Sequence, residues 1–186
     1  MTDGTGDTPL SGRRRLLRLG LAGLVSAVAA PAFAAVPARG ARSLAFRHLH
    51  TGESLRLTYW ADGAYLPGAL AELDRLLRDF RTGEATGMDP RLFDLLHALG
   101  GRLDTSRPYG IVSGYRSPTT NAMLRRASGG VASRSLHMDG MAIDIRVPGR
   151  RPVDVFRAAR SLKSGGVGLY ARSGFVHLDT GRVRFW

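Results

Sequence analysis

Ser135-Leu136-His137-Met138-Asp139-Gly140-Met141-Ala142-Ile143-Asp144-Ile145 runs from a polar, glycine-containing loop into a short apolar strand. Within residues 142–145 the side chains alternate. Ile143 and Ile145 point to one face and Asp144 to the other, so the carboxylate emerges opposite the core-facing isoleucines. A carboxylate buried there without a partner would be costly, so the chain must supply one. Phe175-Val176-His177-Leu178-Asp179 repeats the pattern: Phe175, His177 and Asp179 share a face, while Val176 and Leu178 take the other. At about 3.3 Å of rise per residue, His177 and Asp179 stand about 7 Å apart along that strand.

His137, Asp144 and His177 form a set suited to one hydrolytic zinc ion, with a fourth tetrahedral position left for a water whose pKa falls toward about 7. The chain has no cysteine, which excludes disulfides, thiolate zinc knuckles, iron–sulfur clusters and a cysteine nucleophile; any metal must be held by His, Asp or Glu. Spacing alone leaves a second reading open. In it the two histidines are unrelated and Asp144 pairs with one of the many arginines.

Working outward, Leu55, Leu57 and Tyr59 alternate with polar residues as in a half-buried strand, and Asp62-Gly63 turns the chain after it. Residues 44–50 pair with that strand across Thr51-Gly52. Leu70, Leu73, Leu76, Leu77 and Phe80 recur at helical spacing up to Gly83. Asp89 caps and Pro90 opens a second helix that Gly100-Gly101 stops. Residues 110–115 read as a strand ending at Arg116, and Ser117-Pro118 begins a helix running to Ala127. A last helix covers residues 152–162. Three short strands follow, at residues 167–170, 175–179 and 182–185, joined by tight glycine-containing turns. Hairpins imply antiparallel pairing, so the expectation is an α+β fold in which a small antiparallel sheet carries the metal site and helices flank it.

The N-terminal stretch reads as an address. Arg13-Arg14-Arg15-Leu16-Leu17-Arg18 precedes an apolar run over residues 19–30, then Pro31 and Ala32-Phe33-Ala34. This is the form of an export signal, and the adjacent arginines resemble the twin-arginine type. The expected organisation is a signal over residues 1–34, a flexible lead-in over 35–43 and one domain over 44–186, working in the periplasm. The alternative is an uncleaved anchor in the inner membrane, because residues 19–36 carry no charge.

Lys and Arg total 27 against 15 Asp and Glu, a formal charge of +12. Most of it belongs to the domain rather than the signal, which suits a protein beside anionic envelope polymer. Nucleic acid is not an expected partner outside the membrane, nor is membrane insertion once the signal is removed. A monomer is expected.

The stretch 135–144 resembles the Ser-x-His-x-x-Gly-x-Ala-x-Asp motif of the zinc D-Ala-D-Ala peptidases, a superfamily that includes lysostaphin-type enzymes and the hedgehog signalling domain. Ser113-Gly114-Tyr115-Arg116-Ser117, Gly166-Val167-Gly168-Leu169-Tyr170 and Phe175-Val176-His177-Leu178-Asp179-Thr180-Gly181 are similar to segments of its YcbK-like (MepK-like) murein endopeptidase branch. The resemblance implies that His137, Asp144 and His177 bind zinc and that the substrate is a cross-linking peptide of peptidoglycan. Arg116 is then a candidate for gripping a substrate carboxylate or stabilising an oxyanion, since its guanidinium suits both. Ser135 is a candidate substrate contact. His50 and Glu53 also fit the branch pattern, though a polar turn explains them equally well. His48 and His97 read as structural.

One departure concerns the general base. Many relatives place a carboxylate three residues before the last histidine, or another histidine two before it; here Gly174 and Phe175 occupy those positions. Asp179, sharing the face of His177, is the candidate base, with orientation of a metal ligand as its other reading. The missing base keeps a rival open: a non-catalytic zinc domain that binds peptidoglycan.

Overall fold

The computed structural model describes residues 40–127 and 131–186. The expected signal and most of the lead-in lie outside the described residues. Among the described residues the chain forms β1 (Arg42–His48), β2 (Ser54–Ala61), β3 (Ala64–Tyr65), α1 (Pro67–Leu76), α2 (Pro90–Arg102), β4 (Tyr109–Ser113), α3 (Pro118–Ala127), a 3-10 turn (Leu136–Asp139), β5 (Ala142–Arg146), α4 (Pro152–Leu162), β6 (Gly166–Tyr170), β7 (Phe175–Asp179) and β8 (Arg184–Phe185). This is the expected α+β class.

The strands make one sheet in the order β3-β2-β1-β4-β5-β7-β6-β8. It is larger than expected and not wholly antiparallel. β1 runs parallel to β4, and β8 runs parallel to β6 instead of returning beside β7. The turn Thr180–Val183 gives the reason. Gly181 N and the Arg184 side chain both bond to Asp179, which carries the chain past the edge of β7 and onto the far side of β6.

The first helix also ends earlier than its apolar spacing suggests, with Leu77 as its C-cap. Phe80 lies in the following loop, where it stacks on His50 and meets the edge of His48. β1 begins inside the expected lead-in, because Arg42 Nη1 is held by Asp94 Oδ1 at 2.6 Å.

Alternation sorts each strand into two faces. Phe46, Tyr59, Tyr109, Ile111, Ile143, Ile145, Val167, Val176 and Leu178 form one buried cluster with Leu73, Leu77, Leu92, Phe93, Leu96 and Leu99 from the helical segments. Asp89 caps α2 by accepting from Arg91 N, and Pro90 follows it as expected. The opposite face of β5 and β7 is left for polar groups.

Asp94 on α2 ties the helix to the sheet. Its carboxylate accepts from the Tyr59 and Tyr65 hydroxyls at 2.9 and 2.7 Å as well as from Arg42. Tyr59 is fully buried. Asp94→Ala leaves that hydroxyl without its acceptor, and the expected cost is about 1–3 kcal/mol of stability, measured by urea unfolding against the parent.

Candidate active site

The antiparallel register of β5 and β7 sets Asp144 opposite His177. Directly paired residues on one face of such a ladder have Cβ atoms about 4.5–5.5 Å apart, so the two side chains meet. His177 Nδ1 lies 2.9 Å from Asp144 Oδ1. The 3-10 turn before β5 delivers His137, whose Nε2 lies 3.2 Å from His177 Nδ1 and 3.3 Å from Asp144 Oδ1. Gly140 ends that turn at a left-handed φ of 67°, which turns the chain from His137 into β5. All three side chains are buried, and they are the only His, Asp or Glu cluster among the described residues with donor atoms close enough to share an ion.

Each imidazole is fixed by its remote nitrogen. His137 Nδ1 donates to the Gly114 carbonyl at 2.7 Å, leaving Nε2 to face the cluster. His177 Nε2 donates to Asp179 Oδ2 at 3.0 Å, leaving Nδ1 to face it. Gly114 can approach because it has no side chain: a Cβ there would sit 2.5 Å from the Leu77 carbonyl oxygen.

Asp179 is fully buried, and both its oxygens are taken. Oδ1 accepts from Gly166 N, Gly181 N and Arg184 Nη1; Oδ2 accepts from His177 and Arg184 Nη2. The expectation of Asp179 as general base does not fit this geometry, because the carboxylate lies behind His177 with no free oxygen. Its position suits the other reading, orientation of the imidazole.

Electrostatics follow from these contacts. Burial alone would raise the Asp144 carboxyl, but His137 and His177 overcome it and hold the pKa far below the usual range. Burial likewise opposes the His177 and Arg184 bonds at Asp179, which prevail and bring that carboxyl down to about 2. His177 is desolvated, which lowers its pKa, yet hydrogen bonds to Asp144 and Asp179 outweigh burial and raise it. The group's contribution to metal-free stability is therefore complete below its unfolded pKa of about 6.5 and lost as pH rises through the elevated folded value.

The cluster opens into a cleft of about 420 Å³ whose wall includes Arg116, Arg134, Ser135, Tyr170, Phe175 and Trp186. Arg116 follows β4, as expected, with Nη2 3.8 Å from Asp144 Oδ2 and Nη1 3.4 Å from Asn121 Oδ1. Its Nε is buried without a hydrogen-bond partner. Burial lowers its pKa, with Asp144 opposing. Ser135 precedes the 3-10 turn without using its hydroxyl as a cap. His50 and Glu53 are elsewhere: His50 stacks on Phe80, and Glu53 pairs with Arg78 at 3.0 Å. His48 is buried and accepts from His50 N and Thr51 N, a structural role, while His97 is exposed on α2.

The family described as peptidoglycan L,D-endopeptidase MepK matches residues 36–186. This chain belongs to it. Among curated relatives, the Peptidoglycan L,D-endopeptidase MepK of Escherichia coli (strain K12) is 43% identical over 175 residues, covering 94% of this chain and 96% of the relative. The Probable peptidoglycan L,D-endopeptidase MepK of Haemophilus influenzae (strain ATCC 51907 / DSM 11121 / KW20 / Rd) is 43% identical over 146 residues, covering 78% of each. Membership in this MepK family agrees with the resemblance read from the motifs.

Sequence reasoning missed three features of the site: the Arg184 clamp on Asp179, the Gly114 carbonyl behind His137, and Trp186 beside His177. An arginine five residues after Asp179 was a visible signal; the other two depend on chain crossings. Asp179→Asn is expected to lower the His177 pKa toward 6.5 in the metal-free protein, because the second carboxylate holding the imidazolium is lost. Titration of the imidazole resonances by NMR reads that shift directly.

Proposed function

We propose that this murein endopeptidase is zinc-dependent, with His137 Nε2, Asp144 Oδ1 and His177 Nδ1 as ligands, and that it hydrolyses L,D cross-links of peptidoglycan. The observation that carries the proposal is the set of three donor atoms 2.9–3.3 Å apart, with each imidazole locked by its remote nitrogen. A tetrahedral site with bonds of about 2.0–2.1 Å has edges of roughly 3.3 Å, so the donor set fits zinc without rearrangement. Carboxylate or carbonyl partners on the remote nitrogens are the usual support of such ligands. When bound, the ion supplies a Lewis acid that polarises the scissile carbonyl and acidifies water.

The chain's own groups do the rest. Arg116 lines the cleft with a weakly engaged guanidinium, Nη1 3.4 Å from Asn121 Oδ1 and Nη2 3.8 Å from Asp144 Oδ2, suited to a substrate carboxylate or to charge developing on the carbonyl oxygen. Ser135 offers a hydroxyl on the same wall for positioning the peptide. Asp179 acts through His177, holding the ring so that Nδ1 keeps its direction. No carboxylate other than Asp144 lines the cleft among the described residues.

Membership in a family described as an endopeptidase supports catalysis over the rival non-catalytic domain. The same reading places the protein in the periplasm as a monomer, exported by the twin-arginine route, with residues 1–34 removed, 35–43 as lead-in and 44–186 as the working domain. Among the described residues, no helix is long and apolar enough to cross a membrane.

The zinc-loaded protein is expected to convert cross-linked muropeptide dimers to monomers, seen by mass spectrometry, with dimers joined through two diaminopimelate residues cut in preference to those joined through D-Ala. His137→Ala is expected to leave both intact. Persistence of both dimers with the zinc-loaded parent would favour the non-catalytic domain.

Zinc uptake must also displace the proton that Asp144 and Asp179 favour on His177. Below that group's pKa, apparent zinc affinity is expected to fall about tenfold per pH unit, with about one proton released per ion, both measurable by calorimetry in buffers of different ionisation enthalpy.

A further inference from the structure

Gly168 on β6 pairs with His177 across the ladder. A Cβ at Gly168 would lie 2.5–2.7 Å from the Trp186 indole, so the indole rests on bare backbone beside the histidine. Its ring centre is 5.3 Å from the His177 ring at 46°. The Trp186 backbone is held on both sides, its N–H donating to the Val167 carbonyl at 3.2 Å and its carbonyl accepting from Leu169 N at 2.8 Å. Trp186 stays 47% exposed. Its Nε1 donates to the Tyr170 hydroxyl at 3.3 Å, and the Arg184 guanidinium lies 5.0 Å from the ring centre. Tyr170 in turn stacks on Phe175, its direct partner across the ladder, at 4.6 Å and 14°.

Three aromatic rings therefore line the cleft beside His177, held in place from below and open from above. A large ring in a rigid setting, half in water and beside a reactive centre, is not there for the core. Such surfaces take apolar groups from a ligand. Arg116 and Arg134 line the same cleft, so the surface suits a ligand that joins an aliphatic chain to carboxylates. Diaminopimelate, with its two amino-acid centres joined by three methylenes, has that character.

Resting on the murein endopeptidase reading above, we infer that Trp186, with the Tyr170–Phe175 stack, forms a specificity subsite that holds the methylene chain of the diaminopimelate next to the scissile bond. Each methylene moved from water onto such a surface is worth about fourfold in binding, from about 0.8 kcal/mol per group. A wall open on one side covers one or two of the three, so the subsite contributes about tenfold.

The test is steady-state hydrolysis of a glycan-free peptide dimer joined through two diaminopimelate residues, by the zinc-loaded parent, Trp186→Ala and Trp186→Phe. Trp186→Ala is expected to lower kcat/KM about tenfold through KM, with kcat within about twofold and zinc stoichiometry unchanged. Trp186→Phe keeps an apolar ring and is expected within about threefold of the parent. As the indole is half exposed at the edge of β6, the alanine protein keeps its core, which circular dichroism confirms. Gly168→Ala, which pushes the indole off its seat, is expected to fall between the two. A Trp186→Ala protein equal to the parent overturns the inference, as does a loss carried by kcat alone. A loss seen only with sugar-bearing muropeptides overturns it too, because the rings would then be stacking on glycan. If the parent itself leaves the dimer uncut, the endopeptidase reading falls and takes the subsite with it; a parent that cuts while Trp186→Ala cuts equally well removes only the subsite.

Discussion

The register of β5 against β7 is the constraint on which the site depends. Asp144 and His177 are far apart in sequence, and only their direct pairing brings Nδ1 to 2.9 Å from Oδ1. Because side chains alternate with period two, a slip of one residue would turn His177 and Asp179 into the core and Val176 and Leu178 out of it. The buried apolar partners therefore specify the site as firmly as the polar residues do. Ile143, Ile145, Val176 and Leu178 are all essentially inaccessible, and Val176 and Leu178 would leave the core in the slip that destroys the cluster.

β6 extends the same logic by omission. Its core-facing residues, Val167 and Leu169, belong to or pack against the core, while Gly166 and Gly168 occupy the face shared with the site. Those two positions carry no side chain because their space is filled by others: the Asp179 carboxylate with the Arg184 guanidinium over Gly166, and the Trp186 indole over Gly168. The parallel addition of β8 to β6 makes this possible, since it carries Arg184 and Trp186 back over the strand that has left room for them. A hairpin return would have placed them elsewhere.

The strands near the site were legible because their period-two alternation is strong over residues 142–145 and 175–179, which gave the faces of Asp144 and His177; grouping them with His137 came from the motif resemblance, since spacing alone left a second reading open. The second helix was legible from Asp89, Pro90 and its apolar stripe. Harder to read were features set by crossings between distant segments. The parallel pairing of β1 with β4 and of β8 with β6 leaves no trace in local pattern. Phe80 continued a helical spacing yet left the helix, since its ring finds His50 and His48 instead. Asp179 shows the limit most clearly. Alternation placed it on the face of His177, but only the positions of Gly166, Gly181 and Arg184 reveal that its oxygens are spent.

The tautomer logic of the two histidines explains why they present different nitrogens. His137 comes from a turn, where a backbone carbonyl, that of Gly114, is within reach of Nδ1, so Nε2 points inward. His177 stands on a strand, where the residue two along shares its face and reaches the far side of the ring. Asp179 takes Nε2, and Nδ1 is left for the cluster. Orienting a ring with a carboxylate instead of a carbonyl has a second effect, because it adds negative charge next to a site already holding Asp144. Arg184 offsets that charge with a two-pronged contact at 2.8 and 3.0 Å, made from the wall of the same cleft. Arg116 stands apart from this balance: its guanidinium is only weakly engaged, with Nη2 3.8 Å from Asp144 Oδ2 and Nη1 3.4 Å from Asn121 Oδ1.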